Sequence, residues 1–331
     1  MKKLLSLILV ACMALPIVAC AKTKANNETN SNEKTVVRIG GLKGPTSMGM
    51  VKMLDDSEQG KTEIDYQFTM AASADELTPK IMQGELDILA VPANLGSVLY
   101  NKSNGKVQMA AVNMLGAMYI TEKGDKTIQN IADLKGQKIY ATGKGSTPEY
   151  VLAYLLSQNG LDIEKDVTIE WKSEPTETVS AMANDDHAIA LLPQPFVVVA
   201  QNQIEGLEIV LDLNQEWESL GGDSKCITAG IIINADFAKA HPDTVKTFLK
   251  EYAASTAYVK ENIDEASVLI EKYDIVKAPI AKKALPQCNI VCITGQEMKD
   301  IVNGYFQVLY DQNPASVGGS MPGDNFYLIY E

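Results

Sequence analysis

The chain has 331 residues, with 29 basic and 42 acidic side chains for a net charge of −13, and 46% of it is hydrophobic. An acidic chain of this kind lacks the basic stripe that a phosphate backbone requires, so nucleic acid is not expected as a partner. Its length allows a large core and favours two domains over one.

The chain opens on Met1-Lys2-Lys3, and residues 4–18 are apolar apart from Ser6. That is the length of a signal-peptide core and too short for a comfortable membrane span. Residues 1–19 are therefore expected to be a targeting segment. They close on Ile17-Val18-Ala19-Cys20, which resembles the lipobox of bacterial lipoproteins and implies cleavage before Cys20 with lipid attached to it. Ordinary secretion with cleavage near Ala19 is the alternative. Cleavage removes Lys2 and Lys3 and no acids, leaving 27 basic and 42 acidic residues, a net −15. Residues 20–34 are polar, Asn-rich and without apolar periodicity, the composition of a flexible tether. The folded body is expected to begin near Thr35.

From there the elements follow in order. Val36–Gly40 reads as a strand, and the glycine-rich turn "GGLKGPTSMGM" (40–50) feeds a helix with apolar Val51 and Leu54. "TEIDYQFT" (62–69) alternates as a strand, a helix runs from about Asp75 to Met82, and "DILAVPAN" and "VQMAAVN" read as further strands. "MLGAMYITEKG" (114–124) and "KCITAGIIINADF" (225–237) are short apolar strands placed where the chain would cross between lobes, and they read as paired hinge segments. From Ala238 the pattern is helical, and the last helix is preceded by a possible Thr294–Glu297 capping box. These helices are expected to pack on the first lobe.

Sliding the chain on itself by 101 positions exposes a repeat. Lys43-Gly44-Pro45-Thr46 falls on Lys144-Gly145-Ser146-Thr147, Val51 and Leu54 fall on Leu152 and Leu155, Pro92 on Pro193 and Asn113 on Asn214. Each half runs strand, helix, strand, helix, strand, helix, strand. Two such units predict an α/β protein of two doubly wound lobes joined by a two-strand hinge, with C-terminal helices: residues 35–115 and 228–331 in lobe one and 116–227 in lobe two. Ligands of such sheets sit outside the carboxyl ends of the strands, so the doubled turns become equivalent sites on facing lobes.

Chemistry other than binding finds no candidate. His187 and His241 have no His or Cys at ligand spacing, so no metal is expected, and no cofactor motif or nucleophile with a base is visible. Cys226, Cys288 and Cys292 form no disulfide framework.

The signal, the tether, the two lobes with two crossovers and the helical C-terminal part together resemble the solute-binding lipoproteins of bacterial ABC importers, of the type II periplasmic-binding-protein fold. The branch that binds nitrate, sulfonates, taurine and thiamine-pyrimidine precursors is the most similar. The resemblance implies an extracytoplasmic, lipid-anchored monomer that captures a small organic solute between its lobes and presents it to a membrane permease. The solute would be a heterocyclic vitamin precursor or a sulfonate-like anion. The alternative on the same fold is a cleft enzyme similar to menaquinone-pathway dehydratases, which would need an acid or base in the cleft.

"GLKGPTSMG", "VPAN" and "ATGKGST" match the places where that family lines its cleft. The residues expected to line it here are Lys43, Gly44, Pro45, Thr46, Ser47, Met48, Ala93 and Asn94 from lobe one. Gly145, Ser146, Thr147, Gln194 and Pro195 are expected from lobe two, with Tyr119 at the hinge. The Thr46 and Thr147 hydroxyls and the Asn94 and Gln194 amides would bond the solute, and Met48 and Tyr119 would give apolar contact. Lys43 and Lys144 are alternatively ordinary surface lysines, and Trp217 a core residue in place of a stacking platform. Arg38 is the only arginine and lies before the turn, so a guanidinium clamp for an amino-acid carboxylate is not expected.

Overall fold

The computed structural model describes residues 34–222 and 224–330. The expected targeting segment, and Cys20 with it, lie outside the described residues.

The first lobe begins β1 (Val36–Leu42), α1 (Pro45–Met48), α2 (Val51–Glu58), β2 (Asp65–Ala71), α3 (Ala74–Met82), β3 (Ile88–Pro92), α4 (Ala93–Ser103) and β4 (Val107–Leu115). The chain then crosses at Gly116-Ala117 into β5 (Met118–Lys123). The second lobe continues β6 (Lys138–Thr142), α5 (Thr147–Gln158), β7 (Thr168–Lys172), α6 (Pro175–Ala183), β8 (Ile189–Pro193), α7 (Phe196–Gln203), β9 (Leu207–Asp212) and α8 (Leu213–Ser219). After the return crossing come β10 (Ile227–Asn234), α9 (Ala235–Ala240), α10 (Pro242–Glu261), α11 (Ile263–Lys272), α12 (Ala278–Ala284), β11 (Ile290–Ile293) and α13 (Gly295–Gln312).

The strands form a six-stranded sheet ordered β11-β4-β10-β3-β1-β2 and a five-stranded sheet ordered β7-β6-β8-β5-β9. Strand β1 pairs in parallel with β2 and β3, and β6 with β7 and β8. The doubled order is thus present, and the 101-residue shift carries α3 onto α6 and β3 onto β8 end to end. The two stretches expected at the hinge are strands within the sheets. Each slots antiparallel between the third and fourth strands of a lobe, β5 between β8 and β9, and β10 between β3 and β4.

Central β3 and β10 are almost wholly apolar and are covered on both faces, as a strand between two helical layers must be. Helix α3 starts on a capping box in which the Ser73 backbone N–H donates to Glu76 at 3.1 Å. The Thr294 side chain forms no such cap, although α13 does begin there. Helix α10 presents Val245, Phe248, Tyr252 and Val259 along one buried stripe and packs on α2 of the first lobe. The C-terminal helices pack on lobe one through α10 on α2 and α13 on β4, and they reach lobe two as well, α12 packing on α7 and α13 on α5. Apolar residues along those helices face both lobes, and a sequence period does not say which neighbour covers a stripe.

Candidate functional site

The carboxyl ends of the parallel strands in both sheets open toward one cleft. A cavity of about 300 Å³ occupies its outer part, with Lys43 and Ala72 on one side, Pro175, Thr176 and Phe196 on the other, and the segment 274–280 closing it. Lys43 is half-exposed and its ammonium pairs with Asp274 at 3.1 Å, so its charge is already met.

The first turn is compact. Its Ser47 hydroxyl donates to the Leu42 carbonyl at 2.7 Å, and a Cβ on Gly41 would stand 2.3 Å from the Ser47 oxygen, so glycine lets the strand end this close to α1. Thr46, Ser47 and Met48 are buried. The Thr46 carbonyl accepts from Asn113 Nδ2 at 2.9 Å, while its Oγ1 has no protein partner. Met48 faces inward, among Val51, Val198 and Ala284, rather than lining an open wall. Gly44 precedes α1 as its cap and Pro45 is its first residue.

The second turn is looser. Gly143 and Gly145 take left-handed conformations, φ 84° and 73°, the Gly145 N–H donates to Glu149 at 2.5 Å, and the Ser146 hydroxyl donates to the Gly143 carbonyl. Thr147 is buried, and its hydroxyl lies 3.2 Å from Asn94 Oδ1 and 3.5 Å from the Thr228 carbonyl. Two of the expected residues, one per lobe, therefore meet directly. Ala93 and Asn94 open α4, and Asn94 Nδ2 donates to the Ser316 carbonyl at 3.0 Å.

Gln194 is wholly buried at the end of β8, and Pro195 follows through a cis peptide as the cap of α7. Gln194 Nε2 donates to Gln287 Oε1 at 2.5 Å, and the Tyr119 hydroxyl donates to the Gln287 carbonyl at 2.9 Å. Burial, with Asp212 nearby, raises the Tyr119 phenol above its usual range, so it stays a neutral donor. Trp217 is core: it is buried against Tyr154 and Tyr305, with its indole N–H donating to Ser224. Lys144 lies on the opposite, outer side of the second turn with Glu149 and Glu164.

Polar atoms buried without a partner in this region include Thr46 Oγ1, Asn113 Oδ1, Gln194 Oε1 and Thr228 Oγ1, together with the Tyr252 hydroxyl beside Asn113 and the Tyr305 hydroxyl beside Thr147. The sequence reading had not placed Asn113, Thr228 or Gln287 in the site. Asn113 did carry a signal, since it falls on Asn214 under the repeat, and Asn214 in turn packs on the crossing at Gly116. Among the described residues, no group of three or more His, Cys, Asp or Glu side chains is arranged to hold a metal, and no helix is long and apolar enough to cross a membrane.

Two facing α/β lobes with polar turns at the strand ends define a protein that holds a small molecule between domains. Residues 52–264 match the family described as ABC transporter, phosphonate, periplasmic substrate-binding protein, and the chain belongs to that family. No curated protein matches the chain. Among solved structures, an ABC transporter from Parabacteroides distasonis is similar at TM-score 0.75 and 22% identity, covering 90% of this chain and 100% of the other. The periplasmic aliphatic sulphonate binding protein SsuA from Escherichia coli gives 0.71 and 17%, covering 86% and 94%. The periplasmic nitrate-binding protein NrtA from Synechocystis PCC 6803 gives 0.62 and 17%, covering 80% and 75%. At these identities the likeness establishes the periplasmic-binding-protein fold, and the ligands are those proteins' own.

Proposed function

We propose that this substrate-binding protein captures a small organic solute between its lobes, closes on it as a monomer, and delivers it to the permease of an ABC importer, held at the extracytoplasmic face of the membrane by lipid on Cys20. The observation that carries the reading is the Thr147–Asn94 hydrogen bond. It joins the turn of one lobe to the helix start of the other beside unpartnered buried oxygens. A solute that contacts both lobes at once would supply the differential affinity that closure requires. Lys43 through Met48, Ala93, Asn94, Tyr119, Gly145 through Thr147, Gln194 and Pro195 make up the proposed lining, with Met48 and Tyr119 contributing packing from behind.

A binder is favoured over a cleft enzyme because the buried polar residues of this region are Thr, Ser, Asn and Gln, and the carboxylates of the cavity wall already have partners, Asp274 in Lys43, Glu271 in Lys277 and the Ala278 N–H, and Glu174 in the Thr176 hydroxyl. Arg38 is bound to Asp87, its Nε donating at 3.0 Å, which supports the expectation that no guanidinium grips a carboxylate here.

The test is a thermal-shift screen across sulfonates, nitrate, carboxylates and pyrimidine or flavin-type precursors, followed by solution scattering. The expected result is a Tm that rises with solute concentration over Kd and a more compact particle. A rigid particle indifferent to every solute overturns the proposal. For the anchor, Cys20→Ala is expected to release the protein from the membrane fraction, and unchanged fractionation with unchanged mass overturns it.

A further inference from the structure

Helix α7 belongs to lobe two, yet its side chains divide between the lobes. Val197 and Ala200 join Leu192 and Leu207 in lobe two's own core. Val198, 5% exposed, turns the other way and is buried in an apolar cluster whose other members all lie outside lobe two, among them Met48, Val51, Ile270, Ala281 and Ala284. Helix α12 supplies the contact to α7. It is backed in turn by α11, which packs on α2 of lobe one and is tied there by Lys272 to Asp55 and Glu58. Parting the lobes would therefore return Val198 to water.

Polar pairs flank this apolar contact. On one side the Lys283 ammonium donates to Asn202 Oδ1 of α7 at 3.2 Å. On the other, the Gln287 carbonyl accepts from the Tyr119 hydroxyl at 2.9 Å, and the Gln194 and Gln287 side-chain amides meet at 2.5 Å, where either amide can be the donor and one bond results. The segment from Ala281 to Gln287 thus meets lobe two at three places, and all three contacts are between protein groups alone. Of these, the valine decides the balance. An exposed bond such as that of Lys283 exchanges water for amide at little net gain, whereas moving a branched apolar side chain out of water favours the closed form outright.

We infer that Val198 is a latch: seated against α12, it draws the lobes together before any solute arrives, so that the solute-free protein is partly closed and the solute completes the closure. Met48, two residues after Thr46 in the first turn, lies in the same cluster, so the latch seats lobe two against the binding turn itself. The inference rests on the reading that the lobes part and close, and adds to it a contribution that no solute supplies.

The experiment is solution scattering of the full chain with no solute present, comparing the wild type with Val198→Thr and Val198→Asp, each checked for fold by circular dichroism. Val198→Thr keeps the shape and puts a hydroxyl into the apolar cluster, and is expected to raise the ratio of open to closed particles about tenfold. Val198→Asp is expected to raise it further, and both variants to show a larger radius of gyration than the wild type. An unchanged radius in the folded variants overturns the latch while solute capture stands. Val198→Thr keeps the test open if Val198→Asp does not fold, and loss of fold in Val198→Thr overturns the latch as well, since the side chain would then serve lobe two's own core. A radius indifferent both to the variants and to every solute of the thermal-shift screen overturns both readings.

Discussion

The two glycine-rich turns share a sequence frame and differ in what holds them. The first is braced within its own lobe: β4 reaches it through Asn113, and α10 through Ser255, whose hydroxyl donates to the Gly49 carbonyl at 2.7 Å. The second has its buried threonine bonded across the cleft to Asn94. Of two α/β units with the same order, one thus has a turn braced by its own lobe and the other a turn bonded to the facing lobe. The C-terminal helices explain the difference, because α10 packs on α2 and bonds the Gly49 carbonyl after α1, while in lobe two α12 meets α7 and α13 meets α5.

Several substitutions would break this contrast, the largest in the cores. Phe248, fully buried and edge-on to Tyr66, serves the first lobe, and Leu155 the second. Truncation to alanine is expected to cost about 3–5 kcal/mol for Phe248 and about 2–5 kcal/mol for Leu155. Because α13 touches both lobes, urea unfolding should show one shared transition that either variant shifts. Two separable transitions would mean that the lobes fold independently.

A smaller asymmetry sits ahead of the third strand of each unit. Buried Asp87 accepts from the Arg38 backbone N–H at 2.8 Å and from its guanidinium, tying β1 to β3. The repeat puts apolar Ile139 and Ala188 at the equivalent places. Asp87→Ala is expected to lose about 2–3 kcal/mol, below the usual cost of a broken buried pair because Arg38 is 41% exposed and finds water. Chemical denaturation measures it, and a loss under about 0.5 kcal/mol would reduce the pair to a surface contact.

The turns themselves can be compared without any ligand. Thr147→Val removes the bond to Asn94 and should destabilise the free protein by about 1 kcal/mol, whereas Thr46→Val removes a hydroxyl that has no partner and should be neutral or slightly stabilising. Equal losses would erase the distinction between the turns. With solute present, both variants are expected to bind more weakly, by on the order of 1 kcal/mol.

The smallest effect is a pH term at Glu58 of lobe one. The bond from Lys272, and then that from Tyr273, hold the Glu58 carboxyl below its ordinary range. A depressed folded value means that the contribution is present above the unfolded pKa and fades as pH falls through the folded one. Glu58 is 53% exposed, so solvent screening keeps it below about 0.5 kcal/mol. Lys272→Gln should flatten acid unfolding slightly, read as Tm against pH. The repeat places Asn159 opposite Glu58, and lobe two lowers other carboxyls instead, Glu170 beside Lys172 and Lys138 and Asp162 beside Lys165.

How much was legible in the sequence follows from range. Element order, the duplicated unit, the apolar strands β3 and β10 and the turns at Gly44 and Gly145 all rest on local patterns, the alternation of side chains and the backbone freedom of glycine, which neighbours in the chain suffice to express. The repeat made Thr46 and Thr147 visible for the same reason. Where partners are distant in sequence, the pattern was silent. Asn113 is oriented only because the Thr46 carbonyl lies 67 residues before it, and Gln194 is bonded only because Gln287 lies 93 residues after it. Met48 reads as a possible wall and Trp217 as a possible platform until packing encloses both. Composition and period determined two α/β units with a binding edge each; which atoms on those edges remain free to meet a solute was decided by tertiary contacts, because a hydrogen bond spent inside the fold cannot also be offered to a guest.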